Sequence, residues 1–149
     1  MTRPPSIVRF EQFYLGYWLV GIANTALSWR TTLASAMANP DVAALGAVFL
    51  YAMTAMGFVI PLLLWFFIAR RGSTIAKWIL VVLFAIGLLG IALMLVRGTF
   101  PSGVSGVLAA LAIVLQAAAV AMLFRSDTRP WFGEVDPLDE ELVTGEPGA

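Results

Sequence analysis

The chain of 149 residues contains no cysteine and no histidine. Without cysteine there are no disulfides, thiolate nucleophiles or thiolate metal ligands. Without histidine the chain lacks the usual general base and the usual ligand for zinc, copper or haem iron. We therefore expect no cofactor, no metal site and no enzymatic activity.

Charged residues are scarce as well. They make up 12% of the chain, against about 25% in typical soluble domains, while 60% of the residues are hydrophobic and the mean hydropathy is +0.90. The formal net charge is zero, so no overall basic field favours nucleic acid as a partner. This composition is typical of a protein whose outer surface meets lipid.

Four apolar runs are each about long enough to cross a bilayer as a helix. They predict an all-α membrane bundle with spans at about 13–29, 46–68, 75–96 and 104–124. Pro61 lies inside the second run and predicts a kink near Gly57–Pro61. In the third and fourth runs, Gly87 with Gly90 and Gly106 with Ala110 are small-residue pairs that predict close helix packing.

The segments outside the runs complete the predicted organisation. Residues 1–12 form a short N-terminal segment in which Ser6 is placed to cap the first helix. The transmembrane domain is 13–125, and 126–149 is an acidic, mostly disordered tail. Within that tail, Trp131 and Phe132 are aromatic residues that we expect on the lipid headgroups.

Basic residues indicate the orientation. With four spans, seven of the nine fall near the membrane on the side of both termini: Arg3, Arg9, Arg70, Arg71, Lys77, Arg125 and Arg129. Only Arg30 and Arg97 fall on the other side. The positive-inside rule therefore predicts a multi-pass inner-membrane protein with both termini in the cytoplasm. A three-span alternative with one re-entrant run stays open, as does cleavage of a signal after Ala34-Ser35-Ala36.

The first run carries a polar stripe. Its members recur at intervals of three and four residues and share one helix face: Tyr14, Tyr17, Gly21, Asn24 and Ser28. We interpret this stripe as the seam against which the other helices pack. Tyr14, Tyr17 and Trp18 favour anchoring at the membrane interface, and stacking on a ligand is the alternative.

Two sets of residues are candidates for specific contacts. An amide or hydroxyl within hydrocarbon needs a partner, and the candidates for interhelical polar contacts are Asn24, Thr25, Thr54 and Gln116. Binding of a small polar ligand at Asn24 is the alternative. A basic collar of Arg70, Arg71 and Lys77 is a candidate for binding anionic lipid headgroups.

Three features of the sequence occur together: the opening RPPSIVRFEQFYL, the asparagine at position 24, and the tail residues Arg129, Trp131 and Phe132. They resemble small, uncharacterised bacterial four-helix inner-membrane proteins, and the resemblance implies a fold and a location but no activity. Small multidrug-resistance transporters also have four spans, but they need a carboxylate within the first helix. Quinone-linked thiol oxidases need cysteines, which are absent here.

Together these patterns predict a non-catalytic membrane protein that acts through interaction. The expected partners are membrane lipids and other membrane proteins or a second copy. The alternative is a small channel or transporter with a polar path near Asn24 and Gln116. An enzyme acting on lipid is disfavoured because no histidine, cysteine or buried carboxylate pair is present.

Overall fold

The computed structural model describes residues 3–134. Four α-helices follow one another along the chain: α1 (Pro5–Ala38), α2 (Pro40–Arg71), α3 (Thr74–Val96) and α4 (Gly103–Met122). Two single-turn 3₁₀ helices, Ser126–Thr128 and Pro130–Phe132, come after α4. Over the described range there is no β-strand, so the prediction of an all-α protein is confirmed at that level.

Three of the helices are long and apolar enough to cross a membrane: α2, α3 and α4. Helix α1 is the longest but is not among them, because the tyrosines, tryptophans and Asn24 in its middle lower its hydropathy. The composition and these three helices fit a membrane protein.

The helix ends follow from local chemistry. At the start of α2, Asn39 accepts a hydrogen bond from the backbone N–H of Asp41, and Pro40 occupies the first helical position, where it costs no hydrogen bond. Helix α2 ends at Gly72, which has a left-handed φ of 58°. The next residue, Ser73, accepts a hydrogen bond from Ala76 N–H and caps α3, as its position predicts.

One predicted helix feature is wrong. Ser6 does not cap α1: the N-cap is Pro4, and Ser6 lies inside the first turn. Helix α2 has a backbone break at Gly46, with φ 79° and ψ 163°, a region that glycine enters freely. Pro61 lies inside α2 among helical dihedrals; a proline kink does not require non-helical angles, so the kink near Gly57–Pro61 stays a prediction.

The helices alternate in direction, which brings four helix ends together. Tyr14 of α1 contacts Pro61 of α2, and Trp29 contacts Tyr51 further along, so α1 and α2 run antiparallel. The start of α1, the end of α2, the start of α3 and the end of α4 therefore share one end of the bundle, which we call the closed end.

The buried core lies at the closed end. Its apolar members come from all four helices and from the segment after α4: Ile7, Phe10, Tyr14, Leu64, Ile68, Ala69, Ala76, Leu80, Ala119, Leu123 and Phe132. At the opposite end most large apolar side chains are exposed. An exposed apolar surface of this extent is favourable in lipid and unfavourable in water.

Helix α3 joins this core only through its first turns, since its buried residues are Ala76, Lys77 and Leu80. Gly87 and Gly90 continue the same face of the helix, yet a side chain at either position would have no neighbour within 4 Å. The close packing predicted at these glycines is therefore not made with the described part of this chain.

The tight connection at Gly72 gives a test of the fold. A Cβ at Gly72 would collide with the Trp131 carbonyl, and φ is positive. We expect Gly72→Ala to lower the free energy of unfolding by more than the roughly 1–2 kcal/mol of a left-handed alanine. Gly98→Ala is the matched control, because its φ is 66° but nothing lies within 4 Å. Equal melting temperatures of the two variants in detergent would contradict the close approach.

Candidate functional site

The segment 126–134 lies across the closed end and satisfies helix termini there. The Trp131 indole N–H donates to the Ile68 carbonyl at 3.0 Å, near the end of α2. The buried Thr128 hydroxyl lies 3.0 Å from the Leu123 carbonyl and 2.7 Å from that of Arg125. The last carbonyls of a helix have no partner within it, so these donors supply what the helices lack.

The same segment caps α1. The Asp127 carboxylate accepts from the Ser6 backbone N–H at 3.1 Å and from the Ser6 hydroxyl at 2.7 Å. The pKa of the Asp127 carboxyl is held below its usual value, chiefly by the hydrogen bond from the Ser6 hydroxyl. A negative charge at a helix amino terminus is also favoured by the helix dipole. The N-cap residue Pro4 makes no side-chain hydrogen bond, so the acceptor for the start of α1 comes from Asp127, which lies 121 residues away from Ser6 along the chain.

Lys77 is the buried cation of the site. Its side chain is 4% exposed, and its Nζ lies 2.9 and 3.1 Å from the two carboxylate oxygens of Glu134. The rings of Phe132 and Phe124 flank the same nitrogen at 4.6 and 5.0 Å from their centroids. A buried ammonium needs such an anion, because an isolated charge away from water is costly.

A polar cleft of about 320 Å³ surrounds this ion pair. Its basic members are Lys77, Arg125 and Arg129, and Glu134 is its carboxylate. Arg125 also lowers the pKa of the nearby Asp127. Three basic side chains outnumber the two carboxylates, Glu134 in the cleft and Asp127 near it, so the cleft keeps a net positive charge.

The predicted collar is thus divided by the structure. Lys77 lies in the cleft, whereas Arg70 lies 3.4 Å from the Glu11 carboxylate, which also holds Arg3 at 3.2 Å. Neither Arg70 nor Arg71 lines the cleft. Charge counting identified the basic end, but not Arg125 and Arg129 as the neighbours of Lys77.

An apolar groove of about 450 Å³ lies beside the cleft on the outer face of α3. It extends from Thr74 and Ile75 past Trp78 to Val82 and Leu83. Trp78 lines both the groove and the cleft, and its ring stands edge-on to Phe124 at 6.0 Å.

Two aromatic residues of α1, Tyr14 and Trp18, form hydrogen bonds with α2. Tyr14 is 1% exposed, and its hydroxyl donates to the Pro61 carbonyl at 3.1 Å. The Trp18 indole N–H donates to the Phe58 carbonyl, also at 3.1 Å. The stripe on α1 therefore does face another helix. Trp131 and Phe132 likewise pack on protein, Phe132 within the buried core and Trp131 against its edge; their position relative to the headgroups stays a prediction.

The predicted interhelical polar residues are brought together only in part. The pairs Gly21–Phe58 and Trp29–Tyr51 set the register of α1 and α2, which brings Thr54 to the level of Asn24. The buried Asn24 Oδ1 has no hydrogen-bond partner there.

Gln116 lies elsewhere along the bundle. A side chain at Gly16 would touch Leu115 of α4, so Gln116 lies near the level of Gly16. Asn24 is about 12 Å further along the helix axis. In the described range, neither Thr25 nor Gln116 makes an interhelical hydrogen bond, and Asn24 and Gln116 lie too far apart along the bundle to bond each other.

Residues 3–134 contain no group of three or more Asp and Glu side chains that could hold a metal ion. Comparison with protein-family models, curated proteins and solved structures finds no match to this chain. The resemblance to small bacterial four-helix inner-membrane proteins therefore stays a prediction. The site combines a buried cation, Lys77, with an exposed apolar groove beside it.

Sequence reasoning missed the partners contributed by the segment 126–134. The acidic late residues suggested disorder, but Asp127 and Glu134 each face a specific donor on another helix. The one available signal was Lys77 in an apolar context, since a buried lysine requires a carboxylate nearby. The predicted tail residues after 134 lie outside the described range.

The Asp127 cap predicts a pH effect. Because its folded pKa is lowered, the carboxylate stabilises the fold above the usual aspartate value and loses this effect as the pH falls below about 4. We expect the melting temperature of the wild type to decline there more than that of Asp127→Asn. Asp41→Asn is the matched control, because Asp41 begins α2 at the other end of the bundle. If Asp127→Asn and Asp41→Asn give the same pH profile, the cap is not acting as described.

Proposed function

We propose that this chain is a multi-pass protein of the bacterial inner membrane with four spans and both termini in the cytoplasm. Support comes from the packing of α1. It lies against α2 through Trp18 and Phe58 and against α4 at Gly16 and Leu115, at the level of their apolar stretches. A helix packed there against two spanning helices crosses the membrane with them.

The charges support the orientation. The closed end carries Arg3, Arg9, Arg70, Arg71, Lys77, Arg125 and Arg129. The opposite end of the bundle, which we call the open end, carries Arg30 and Arg97. The closed end therefore faces the cytoplasm by the positive-inside rule. The cleft of Lys77 and Glu134 then lies at the inner membrane surface.

Cysteine labelling tests the topology directly, because the wild type has no cysteine. With a membrane-impermeant maleimide added outside intact cells, we expect Ser102→Cys to react, while Arg3→Cys and Ser126→Cys react only after lysis. A three-span protein with α1 outside the membrane would expose Arg3→Cys to the reagent. External labelling of Arg3→Cys would therefore contradict four spans.

The function we propose is non-catalytic and consists of interaction with other membrane components. The observation that carries this is the unfilled face of α3. Its core-facing stripe begins with the buried Ala76 and Leu80 and continues to the exposed Gly87 and Gly90. In lipid, small residues on a helix face allow a second backbone to approach closely. The outer half of α3 is thus suited to receive a helix of a second copy or another protein.

Site-specific cross-linking in native membranes tests this function. We expect a bifunctional thiol reagent to join Gly87→Cys or Gly90→Cys to a second polypeptide. Leu89→Cys, which is 63% exposed on another face of α3, is the matched control and should give much less product. A protein that remains monomeric at all three positions would contradict the proposal, and equal products at all three would indicate random collision.

A further inference from the structure

The cleft offers cationic groups and the adjoining groove on α3 offers an apolar surface, which together match the charged head and the hydrocarbon chain of an amphiphile. We propose that they bind a single anionic phospholipid, with its phosphate in the cleft of Lys77, Arg125 and Arg129 and one acyl chain in the groove along α3. This inference rests on the membrane location proposed above. It depends neither on the number of spans nor on a protein partner.

The cleft is suited to a phosphate. Arg125 and Arg129 line the cleft and are exposed, whereas Lys77 is buried, and guanidinium groups bind phosphate oxygens with paired N–H donors. Lys77 is already desolvated by the rings of Phe124 and Phe132, which strengthens its attraction to an anion. The arrangement differs from a row of surface lysines because its central cation is buried.

Glu134 occupies the place that a phosphate would take. Its side chain is 40% exposed, whereas that of Lys77 is 4% exposed, so the carboxylate reaches the lysine from the solvent side. An incoming phosphate competes with this carboxylate for the same ammonium group. The ion pair between Lys77 and Glu134 therefore lowers the affinity of the cleft for anionic ligands, and most for those with a weak charge.

The groove is suited to an acyl chain. It begins at Thr74 and Ile75, on the level of the cleft, and runs past Ile79 to Leu83, away from the closed end and along α3. Trp78 borders both spaces, so the cleft and the groove lie next to each other and within reach of one amphiphile. A phosphate joined to a hydrocarbon chain has this shape, and a free phosphate fills only the cleft.

Native mass spectrometry of the full-length protein in detergent provides the test. With phosphatidylglycerol as the probe, we expect one tightly retained lipid per chain, and markedly weaker retention of phosphatidylcholine, whose headgroup is neutral overall. Arg125→Gln and Arg129→Gln should each weaken phosphatidylglycerol binding by about fivefold, as expected for one basic residue at a lipid surface. Glu134→Gln should strengthen it, because Lys77 then loses its competing carboxylate.

The double variant Arg70→Gln/Arg71→Gln is the matched control, since it removes two arginines from the same end outside the cleft. It should leave the specific lipid in place. If it weakens binding as much as Arg125→Gln/Arg129→Gln does, the attraction is a general effect of the basic end and the proposal is wrong. Equal retention of phosphatidylcholine would also overturn it.

A second variant separates the lipid from free phosphate. Val82→Trp fills the groove and should weaken phosphatidylglycerol binding while leaving the binding of inorganic phosphate in the cleft unchanged. If inorganic phosphate displaces the lipid at equal concentration, or if Val82→Trp has no effect, the acyl chain is not bound and the lipid assignment fails. Thermal melting of each variant without lipid checks that it is folded, and the cross-linking at Gly87 is independent of all these outcomes.

Discussion

Four helix ends meet at the closed end of this bundle, and each brings backbone groups that its own helix cannot satisfy. Next to a membrane such groups are costly, because the hydrocarbon offers no hydrogen bonds. The segment 126–134 supplies partners in one pass: Asp127 for the start of α1, Trp131 for the end of α2, and Thr128 for the carbonyls after α4. This segment also belongs to the core, because Phe132 is a member of the buried apolar cluster.

The two ends of the bundle therefore differ in the interactions that join their helices. At the closed end, hydrogen bonds and a buried apolar cluster join all four helices. At the open end α1 and α2 still meet at Trp29 and Tyr51, but α3 has left the core after Leu80. A bundle that is fastened at one end leaves the outer half of α3 without a partner in this chain's described residues, and this asymmetry is what supports the proposed role in interaction with other membrane components.

Much of the architecture could be predicted from the sequence, since long apolar runs form helices in lipid whatever their partners. The turn at Gly72 and the cap at Ser73 can also be predicted from the sequence, because they depend on neighbouring residues only. The contacts of Asp127 and Glu134 could not be predicted, because each joins positions far apart in the chain. The acidic composition near the end indicated disorder, and composition carries no information about which individual carboxylate meets a cation.

The ion pair between Lys77 and Glu134 is a poor source of stability, since removing an ammonium group from water costs about as much as the pairing returns. An apolar side chain of similar length at 77 would pack between Phe124 and Phe132 without that cost. What the charge does determine is the partner: a carboxylate must lie beside the ammonium group, and Glu134 does so at 2.9 and 3.1 Å. Because the Glu134 side chain is 40% exposed and that of Lys77 only 4%, an anion from outside meets the carboxylate before it meets the lysine. The lipid phosphate that we propose at this site therefore has to compete with Glu134 for Lys77.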